Sequence, residues 1–286
     1  MKRSDVTEAG TLYIVATPIG NLNDISLRAL ETLKSVDAIA AEDTRHSQKL
    51  LQHFGIESRL WTYHDHSSEA ATTGLLTQLQ QGLSIALISD AGTPLISDPG
   101  YRIVREARSQ GIRVVPLPGP SAPITALSAA GLPTNRFSFE GFLPSKSTAR
   151  RKVLQALATE TRTMVFFESP HRILESLVDA VAELGGEREV VMARELTKTF
   201  ETFLSGTLDQ VLVQVEQDAN QRRGEIVLMF KGAPEQAEKP DGVTPEVERI
   251  LNVLLKDLPT KQASNLAAEI TGVPKKLLYQ YAVGKH

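Results

Sequence analysis

Short apolar runs alternate with amphipathic stretches along the first part of the chain. Amphipathic segments that predict helices lie at 27–36, 48–54, 75–80 and 103–109. The apolar runs predict buried strands at 12–16, 38–41, 60–63, 85–89 and 114–117. Because strands and helices alternate, the connections between strands are crossovers. The pattern therefore predicts a largely parallel sheet with helices on its faces.

The alternation resumes after Pro118-Gly119-Pro120 with an alanine-rich helix at 122–130. Further apolar runs predict strands at 136–139, 164–167, 190–193, 199–204 and 226–230. Two of these strands follow one another between 190 and 204, which favours a mixed sheet. We therefore predict the α/β fold class with two α/β domains, residues 1–119 and 120–231.

The remaining residues predict a linker and a small helical module. Residues 232–244 contain Gly, Pro, Glu and Lys with almost no large apolar residue, which is typical of a linker. An amphipathic helix is predicted at 245–255. We predict a helix-turn-helix-like module over 245–286.

A helix-turn-helix motif fits residues 264–281. Ala268 provides the small residue where two helices touch, and Gly272 tolerates the positive φ of the turn. Apolar anchors follow at Val273, Leu278 and Tyr281. The same pattern also fits a plain helical hairpin that packs on the body or on a second subunit. Contact with nucleic acid is only slightly favoured.

Three loops follow predicted strands of the first domain and have the composition of ligand-binding loops. They are Thr17–Leu22, Ser89–Gly100 and Leu117–Ala122. In open α/β sheets ligands bind at the carboxyl ends of the strands. None of the three has the glycine spacing of a dinucleotide-binding or P-loop motif. A structural alternative for the second loop makes Asp98 a helix cap, with Pro99 at the first helical position.

Charged residues follow several strands and are candidates for chemistry. Glu42-Asp43-Thr44-Arg45 follows the second strand, where Asp43 or Thr44 fits a helix cap and a carboxylate fits a general base. The segments 168–172 and 193–198 follow strands of the second domain. Their charged side chains either face the cleft or form structural ion pairs. His64-Asp65-His66 has metal-like spacing, but alternate loop residues rarely bind a metal without further ligands, so we predict no metal site.

Composition and charge narrow the function classes. The 286 residues contain no cysteine, which excludes disulfides, thiolate nucleophiles and cysteine-ligated metals. No apolar run approaches the ~18 residues that span a bilayer, and the first ten residues lack a signal-peptide core, so we expect a soluble cytoplasmic protein. The net charge is −3, yet residues 141–152 carry four positive and no negative charges. Residues 259–286 add four Lys against one Glu.

The ordered motifs resemble the tetrapyrrole methylase superfamily. They are Val15–Leu22, Ala41–Arg45, Ser89–Gly100, Leu117–Ala122 and Ala193–Lys198, and the likeness covers nearly the whole chain. The resemblance implies two α/β domains that bind S-adenosyl-L-methionine in the cleft between them, usually as a homodimer. Ser89-Asp90-Ala91-Gly92 stands where tetrapyrrole-modifying members have Gly-Asp-Pro, and this favours an RNA-directed branch.

The resemblance also implies a cofactor pocket and a substrate. Its residues would be Pro18, Gly20, Asp90, Ala91, Gly92, Thr93, Ile96, Ser121, Ala122, Phe167, Leu196, Gly224 and Glu225. The RNA-directed relatives methylate the ribose 2′-oxygen of a cytidine in the decoding centre of 16S rRNA. The implied partner is therefore this rRNA or the small ribosomal subunit.

Roles for further residues follow as hypotheses. Asp43 and Glu42 are candidates for the general base, and Arg45 for orienting a phosphate or a base. Binding of a polyanion would use Lys146, Arg150, Arg151, Lys152, Lys261, Lys275 and Lys276. With aromatic residues at only 5%, the sequence offers no obvious platform for a base turned out of folded RNA.

Two other functions remain open. A methylase of corrin or porphyrin rings would need neither the basic loop nor the helical module. A DNA-binding regulator that senses a metabolite would use the helix-turn-helix but leaves the segment Glu42–Arg45 without a role.

Overall fold

The protein is described here by a computed structural model, which covers residues 10–64, 69–234 and 243–284. Its chain forms two compact units, one ending at Ala233 and the other beginning at Pro234. Residues 235–242 of the predicted linker lie outside the described residues, as do Asp65 and His66 and the first nine residues. The domain boundaries stated above remain predictions.

The first sheet is parallel throughout, in the order β3-β2-β4-β1-β5. Every residue of β2 and β4 is buried, because helices cover both faces of a parallel sheet. The strands agree with the predicted ones to within one residue at each end. They are β1 (Thr11–Val15), β2 (Ala38–Ala41), β3 (Leu60–Thr62), β4 (Ile85–Ile88) and β5 (Arg113–Leu117).

Four helices cover this sheet, two on each face. α1 and α2 pack through Leu33 and Leu51 on one face, and α3 and α4 pack through Leu79 and Ile103 on the other. The helices are α1 (Leu27–Ser35), α2 (Thr44–His53), α3 (Glu69–Gln80) and α4 (Tyr101–Ser109). Three begin earlier than predicted, α2 by four residues, α3 by six and α4 by two, since their first turns lack the apolar periodicity used to find them.

The start of α4 corrects one interpretation. The helix begins at Tyr101 with Gly100 as its N-cap, and no side chain caps it. Asp98 is therefore not a helix cap, and Pro99 is not at the first helical position. Gly100 has φ +132°, a conformation that other residues rarely adopt, so the chain turns into the helix at this glycine.

The second sheet is mixed, as predicted, in the order β6-β7-β10-β8-β9. Only β6 and β7 pair in parallel, and the other neighbours are antiparallel. The strand predicted at 199–204 begins later because residues 195–201 form turns. The strands are β6 (Phe137–Phe142), β7 (Thr163–Glu168), β8 (Glu189–Arg194), β9 (Thr202–Thr207) and β10 (Ile226–Phe230).

Helices cover both faces of the second sheet. One face packs on α5 through Ala126 and Leu127, and Ile19 of the first domain joins that core. The other face packs on α6, α7 and α8 around Phe166 and Phe230. The helices are α5 (Ala122–Ala130), α6 (Ser147–Ala156), α7 (Ile173–Leu184) and α8 (Leu208–Gln217).

The predicted RNA contact by Arg150 is wrong. Arg150 lies on the inner face of α6, and its side chain is fully buried. Its Nε donates to Asp179 Oδ2 of α7 at 2.7 Å, and its guanidinium lies 3.6 Å from Glu175. A side chain without accessible surface cannot bind a phosphate, so Arg150 joins two helices instead.

The smaller unit contains three helices around its own core. They are α9 (Pro245–Leu254), α10 (Thr260–Thr271) and α11 (Lys275–Gly284). Gly272 ends α10 with φ +72°, as the helix-turn-helix motif requires. Val273 and Leu278 are buried among residues of α9 and α10, and Ala268 and Tyr281 lie partly buried against them. The predicted motif is therefore formed.

Replacement of Arg150 tests its structural role. We expect Arg150→Met to lower the free energy of unfolding of the larger unit by about 3–5 kcal/mol, because Asp179 then remains buried without a counter-charge. Arg151→Met is the matched control, since Arg151 is exposed on the same helix. The double variant Arg150→Met/Asp179→Leu should recover much of the loss. Urea unfolding followed by circular dichroism measures this, and equal effects of Arg150→Met and Arg151→Met would contradict the assignment.

Candidate active site at the carboxyl edge of the first sheet

The three predicted ligand loops lie side by side, because β4, β1 and β5 are parallel neighbours. Thr17 and Gly92 exchange two backbone hydrogen bonds of 2.9 Å each, which join the loops after β1 and β4. Thr93 Oγ1 donates to the carbonyl of Pro120 at 2.9 Å and joins the loop after β5. These bonds make one continuous ligand-facing edge from three separate loops.

The loop after β4 contains two non-glycine residues with left-handed backbone, Leu95 at φ +75° and Ser97 at φ +61°. Such residues cost free energy and are concentrated at functional sites. Gly92, at φ +80°, permits the close approach to Thr17. The backbone of this loop is therefore held in a conformation that the sequence would not adopt alone.

A cleft of about 510 Å³ opens at this edge, between the loops of the first domain and one end of the second sheet. Its volume is within the range of small-molecule sites. Most of the cofactor residues that the resemblance implies line it. These are Asp90, Ala91, Gly92, Thr93, Ile96, Ser121, Ala122, Phe167, Leu196, Gly224 and Glu225.

Pro18 and Gly20, the other two implied cofactor residues, are not part of this lining. Pro18 lies at a neighbouring cavity of about 180 Å³, which shares Asp90 with the cleft. At Gly20 an added Cβ would lie 2.5 Å from Lys198 Cγ and 2.8 Å from the carbonyl oxygen of Leu196. Gly20 thus allows the first loop to pack directly against the second domain. Gly20 therefore lies where the two walls of the cleft meet and does not line the cleft itself.

Lys198 packs against Gly20 at this contact and pairs with two carboxylates of its own domain. Its Nζ lies 2.8 Å from Glu195 Oε1 and 3.2 Å from Glu225 Oε2. The carboxylate of Glu195 also accepts the backbone N–H of Glu225 at 3.0 Å. On the other side, the backbone N–H of Asn21 donates to Thr197 Oγ1 at 3.1 Å. The segment Glu195–Lys198, with Glu195 and Thr197 at positive φ, therefore fixes Leu196 and Glu225 in the cleft wall.

The charge of Glu195 is maintained by these contacts. Burial acts to raise the pKa of Glu195, but hydrogen bonds from Lys198 and from the backbone of Glu225 outweigh it, so the pKa lies below its ordinary value. Burial likewise acts to lower the pKa of Lys198, and the two carboxylates raise it above its ordinary value. Both groups are therefore ionised near neutral pH.

Glu168 lines the cleft at the end of β7 and is held by three donors. Its carboxylate accepts the backbone N–H of Ser169 at 2.6 Å, Arg172 Nη2 at 3.0 Å and Ser176 Oγ at 2.5 Å. A carboxylate with this many donors is a fixed part of the wall.

The lining of the cleft is acidic. Four of its acidic residues are Glu42, Asp90, Asp98 and Glu225, while a fifth, Glu168, has its side chain fully buried and paired with Arg172. No Lys, Arg or His of the described residues lines the cleft. Such a lining favours a ligand with positive charge and disfavours phosphate groups. Apolar side chains such as Ile19, Ile96 and Val227 supply the rest of the wall.

The three catalytic candidates are placed differently. Glu42 follows β2 and lines the cleft. Asp43 is the N-cap of α2, and its carboxylate accepts the backbone N–H groups of Arg45 and His46. The hydrogen bond from the Arg45 backbone is the main reason why the pKa of Asp43 is lowered. The side chain of Arg45 is 91% exposed and lies 3.6 Å from Asp43. Their chemical roles remain predictions.

The remaining RNA-binding candidates are on the surface. Lys146, Arg151 and Lys152 are exposed at the start of α6, where Arg151 pairs with Glu183 at 2.6 Å. Lys261, Lys275 and Lys276 are exposed on the smaller unit. Their contact with RNA also remains a prediction.

Other lining residues were not among the sequence candidates for binding. Asp98 and Glu168 lie in segments whose composition the sequence analysis singled out. Their position after a strand was the sequence signal that could have identified them as lining residues. Phe142 and Ile226 had no such signal, because β6 and β10 are otherwise ordinary strands. The full set is Ile19, Ser97, Asp98, Pro123, Phe142, Glu168, Ser169, Pro170, Ile226 and Val227.

Two further properties concern the described residues. Among them, no group of three or more His, Cys, Asp or Glu side chains has the arrangement of a metal site. None of the helices in the described ranges has the length and apolar character that crossing a bilayer requires.

The two sheets and the cleft at their loops are those of the tetrapyrrole methylase family, to which the chain belongs. The model of the Tetrapyrrole (Corrin/Porphyrin) Methylases family matches residues 11–212. Solved structures agree in fold: uroporphyrin-III-C-methyltransferase from Thermus thermophilus has a TM-score of 0.55 at 20% identity, covering 78% of this chain and 94% of its own. A diphthine synthase has a TM-score of 0.58 at 15% identity, covering 78% and 90%.

More similar relatives narrow the assignment. The model of the RsmI C-terminal HTH domain matches residues 241–285. Ribosomal RNA small subunit methyltransferase I of Escherichia coli O157:H7 is 57% identical over 96% of this chain and 95% of its own. The protein of the same name from Pseudomonas aeruginosa is 56% identical over 96% and 97%. The chain therefore belongs to the ribosomal RNA small subunit methyltransferase I family.

Replacement of Lys198 tests the ion pairs that hold the second wall at this contact. We expect Lys198→Met to lower the free energy of unfolding by about 1.5–3 kcal/mol, the usual contribution of a hydrogen bond to a charged group. The pKa of Glu195 should rise at the same time. A carboxyl group whose pKa is lowered in the folded state stabilises the protein at pH values above its ordinary pKa, and this stabilisation is lost as the pH falls through the lowered pKa. Because Lys198→Met loses this stabilisation, the variant should unfold at a higher pH on acidification.

The measurement is acid unfolding followed by circular dichroism. Lys231→Met is the matched control, since Lys231 pairs with Glu189 on the exposed surface of the same domain. An acid-unfolding midpoint of Lys198→Met equal to that of the control would contradict the proposed role of this lysine.

Proposed function

We propose that this protein transfers a methyl group from S-adenosyl-L-methionine to the ribose 2′-oxygen of a cytidine in the decoding centre of 16S rRNA. Its substrate would be this rRNA or the small ribosomal subunit in the cytoplasm, and its working form a homodimer. The observation that carries the proposal is the acidic cleft, formed by eleven of the implied cofactor residues. The name of relatives that are more than half identical supports the rRNA substrate.

The residues of the cleft fit S-adenosyl-L-methionine. Its sulfonium and ammonium groups are positive, and the acidic residues Glu42, Asp90, Asp98 and Glu225 line the cleft without a lining Lys, Arg or His among the described residues. The backbone of Asp90–Thr93 and of Ser121 would bind its polar groups, and Ile96, Phe167 and Leu196 would contact its apolar surface. When bound, this cofactor supplies an electrophilic methyl group.

Positioning would account for much of the rate. The loops after β1, β4 and β5 are joined by hydrogen bonds, so each loop holds the others in place. Holding an acceptor oxygen in line with the methyl carbon removes orientational freedom, an effect that reaches about 7–11 kcal/mol in favourable cases. Rigid loops make such alignment possible.

A ribose hydroxyl is a weak acid, so a base beside it should help. We propose Glu42 in this role, because it lines the cleft and Asp43 uses its carboxylate to cap α2. The proton of the 2′-hydroxyl would pass to a carboxylate oxygen of Glu42. Asp43 would hold the start of α2, and exposed Arg45 would contact a phosphate or a base.

RNA binding needs local positive surface on a chain of net charge −3. We propose that Lys146, Arg151 and Lys152 provide one patch, and that Lys261, Lys275 and Lys276 of the smaller unit provide another. Each contact with a phosphate releases counter-ions, so affinity should fall steeply with salt.

One experiment separates the three functions under consideration. The protein is incubated with labelled S-adenosyl-L-methionine and with undermodified small subunits, free 16S rRNA or a tetrapyrrole precursor. We expect label in the rRNA, at a ribose 2′-oxygen found by nuclease mapping. Label in the tetrapyrrole instead would favour a corrin or porphyrin methylase. Transfer to none of them, together with specific DNA binding, would favour a regulator.

Replacement of the proposed base tests the mechanism. We expect Glu42→Gln to lower kcat by about 10²–10⁴-fold, the typical contribution of general base catalysis, with little change in the dissociation constant of the cofactor. Single-turnover methylation and calorimetry measure the two quantities.

The matched comparison uses two further variants. Asp43→Asn should lower kcat less than Glu42→Gln, and Glu31→Gln, on the exposed side of α1, should leave kcat unchanged. If Asp43→Asn alone removes turnover, the base is Asp43 and the assignment to Glu42 is wrong.

A further inference from the structure

One aromatic side chain in the cleft is unusually exposed. Phe142, the last residue of β6, lines the cleft and is 58% exposed. Ile96, on the opposite loop of the first domain, lines the same cleft and is also exposed. Exposed apolar surface of this kind within a binding cleft points to a ligand that covers it.

The backbone conformation of β6 determines the position of this ring. The pairing of β6 with β7 shifts register between Phe139 and Gly141, and Gly141 has φ +72°. Such a bulge redirects the side chain that follows it. The Cβ position of Gly141 lies 3.5 Å from Ser97 Oγ, so the bulge approaches the loop after β4. Phe142 thus stands beside the loop that lines the proposed cofactor site.

Phe142 contacts the ring of Phe167, which in turn contacts Phe139. Its centroid is 5.3 Å from that of Phe167 at a tilt of 57°. Phe167 in turn meets Phe139 edge to face, with centroids 5.0 Å apart. Aromatic pairs at such distances are attractive. The contact with Phe167 therefore packs part of the Phe142 ring and leaves the rest exposed to solvent.

The chain beyond Phe142 carries positive charge. Lys146, Arg151 and Lys152 are exposed within ten residues of the ring, and residues 141–152 contain no Asp or Glu. An exposed ring followed within ten residues by exposed cations is a combination that fits single-stranded nucleic acid, where bases stack on a ring and cations follow the phosphates. A protein partner or a lipid would not require both features together.

We propose that Phe142 is the stacking platform for the unpaired pyrimidine base of the nucleotide that is methylated. This inference rests on the proposed function and adds to it the surface that holds the base after it has left its stack. A single well-placed ring suffices for one base. The low aromatic content of the chain therefore does not argue against a platform.

The test compares variants of the full-length protein on undermodified small subunits. We expect Phe142→Ala to lower kcat/KM for the subunit by about tenfold, the order expected when one base–aromatic stack is lost. The dissociation constant for S-adenosyl-L-methionine, measured by calorimetry without RNA, should change less than twofold. Phe142→Trp should restore kcat/KM, and Phe142→Leu, which keeps apolar volume without a ring system, should not.

Phe137→Ala is the matched control, since Phe137 is an exposed residue of the same strand outside the cleft lining. We expect its kcat/KM to equal that of the wild type. Full activity of Phe142→Ala, or equal rescue by Leu and Trp, would overturn the platform while leaving the proposed function intact. Loss of cofactor affinity in Phe142→Ala would place the ring in the cofactor site and overturn the platform as well. A wild-type protein that methylates no small-subunit rRNA would overturn both proposals.

Discussion

The reciprocal backbone hydrogen bonds between Thr17 and Gly92 are the contact on which the site depends. They are possible because β1 and β4 are parallel neighbours whose loops leave at the same edge, and because Gly92 adopts φ +80° without strain. Thr93 then extends the contact to Pro120 in the third loop. Three loops that are distant in sequence become one rigid wall, and the positions of Asp90, Ile96 and Ser121 follow from it.

The second wall is attached to the first by close packing and by a hydrogen bond from the backbone of Asn21 to Thr197. Gly20 has no side chain that would separate the first loop from the segment Glu195–Lys198. Lys198 holds two carboxylates of the second domain at this point, one partly buried and one at the cleft. The cleft is therefore bounded by contacts that each require a particular residue type. This explains why strained backbone at Ser97 and Thr197 occurs on its two sides.

Much of this arrangement could be predicted from the sequence, for a definite reason. Period and composition report burial, so the buried strands and the positive φ at Gly272 were predictable. The packing of individual side chains was not. Arg150 belongs to a basic run, but it lies four residues before buried Leu154 on the inner face of α6, and only the presence of Asp179 on α7 shows that its charge is structural. Asp98 precedes a helix as a cap would, yet Gly100 makes the turn.

Charge is separated within this molecule in a way that its total of −3 conceals. The cleft gathers carboxylates from both domains, while exposed lysines and arginines lie at the start of α6 and on the smaller unit. A cation and a polyanion would therefore be bound by different groups and would not compete for them. Phe142 precedes the start of α6 in sequence and lines the cleft itself, and its exposed ring carries no charge. A base held on this ring would bring its ribose to the acidic cleft and leave the phosphates to other, basic groups, which is the separation that methylation of a polyanion by a cationic donor requires.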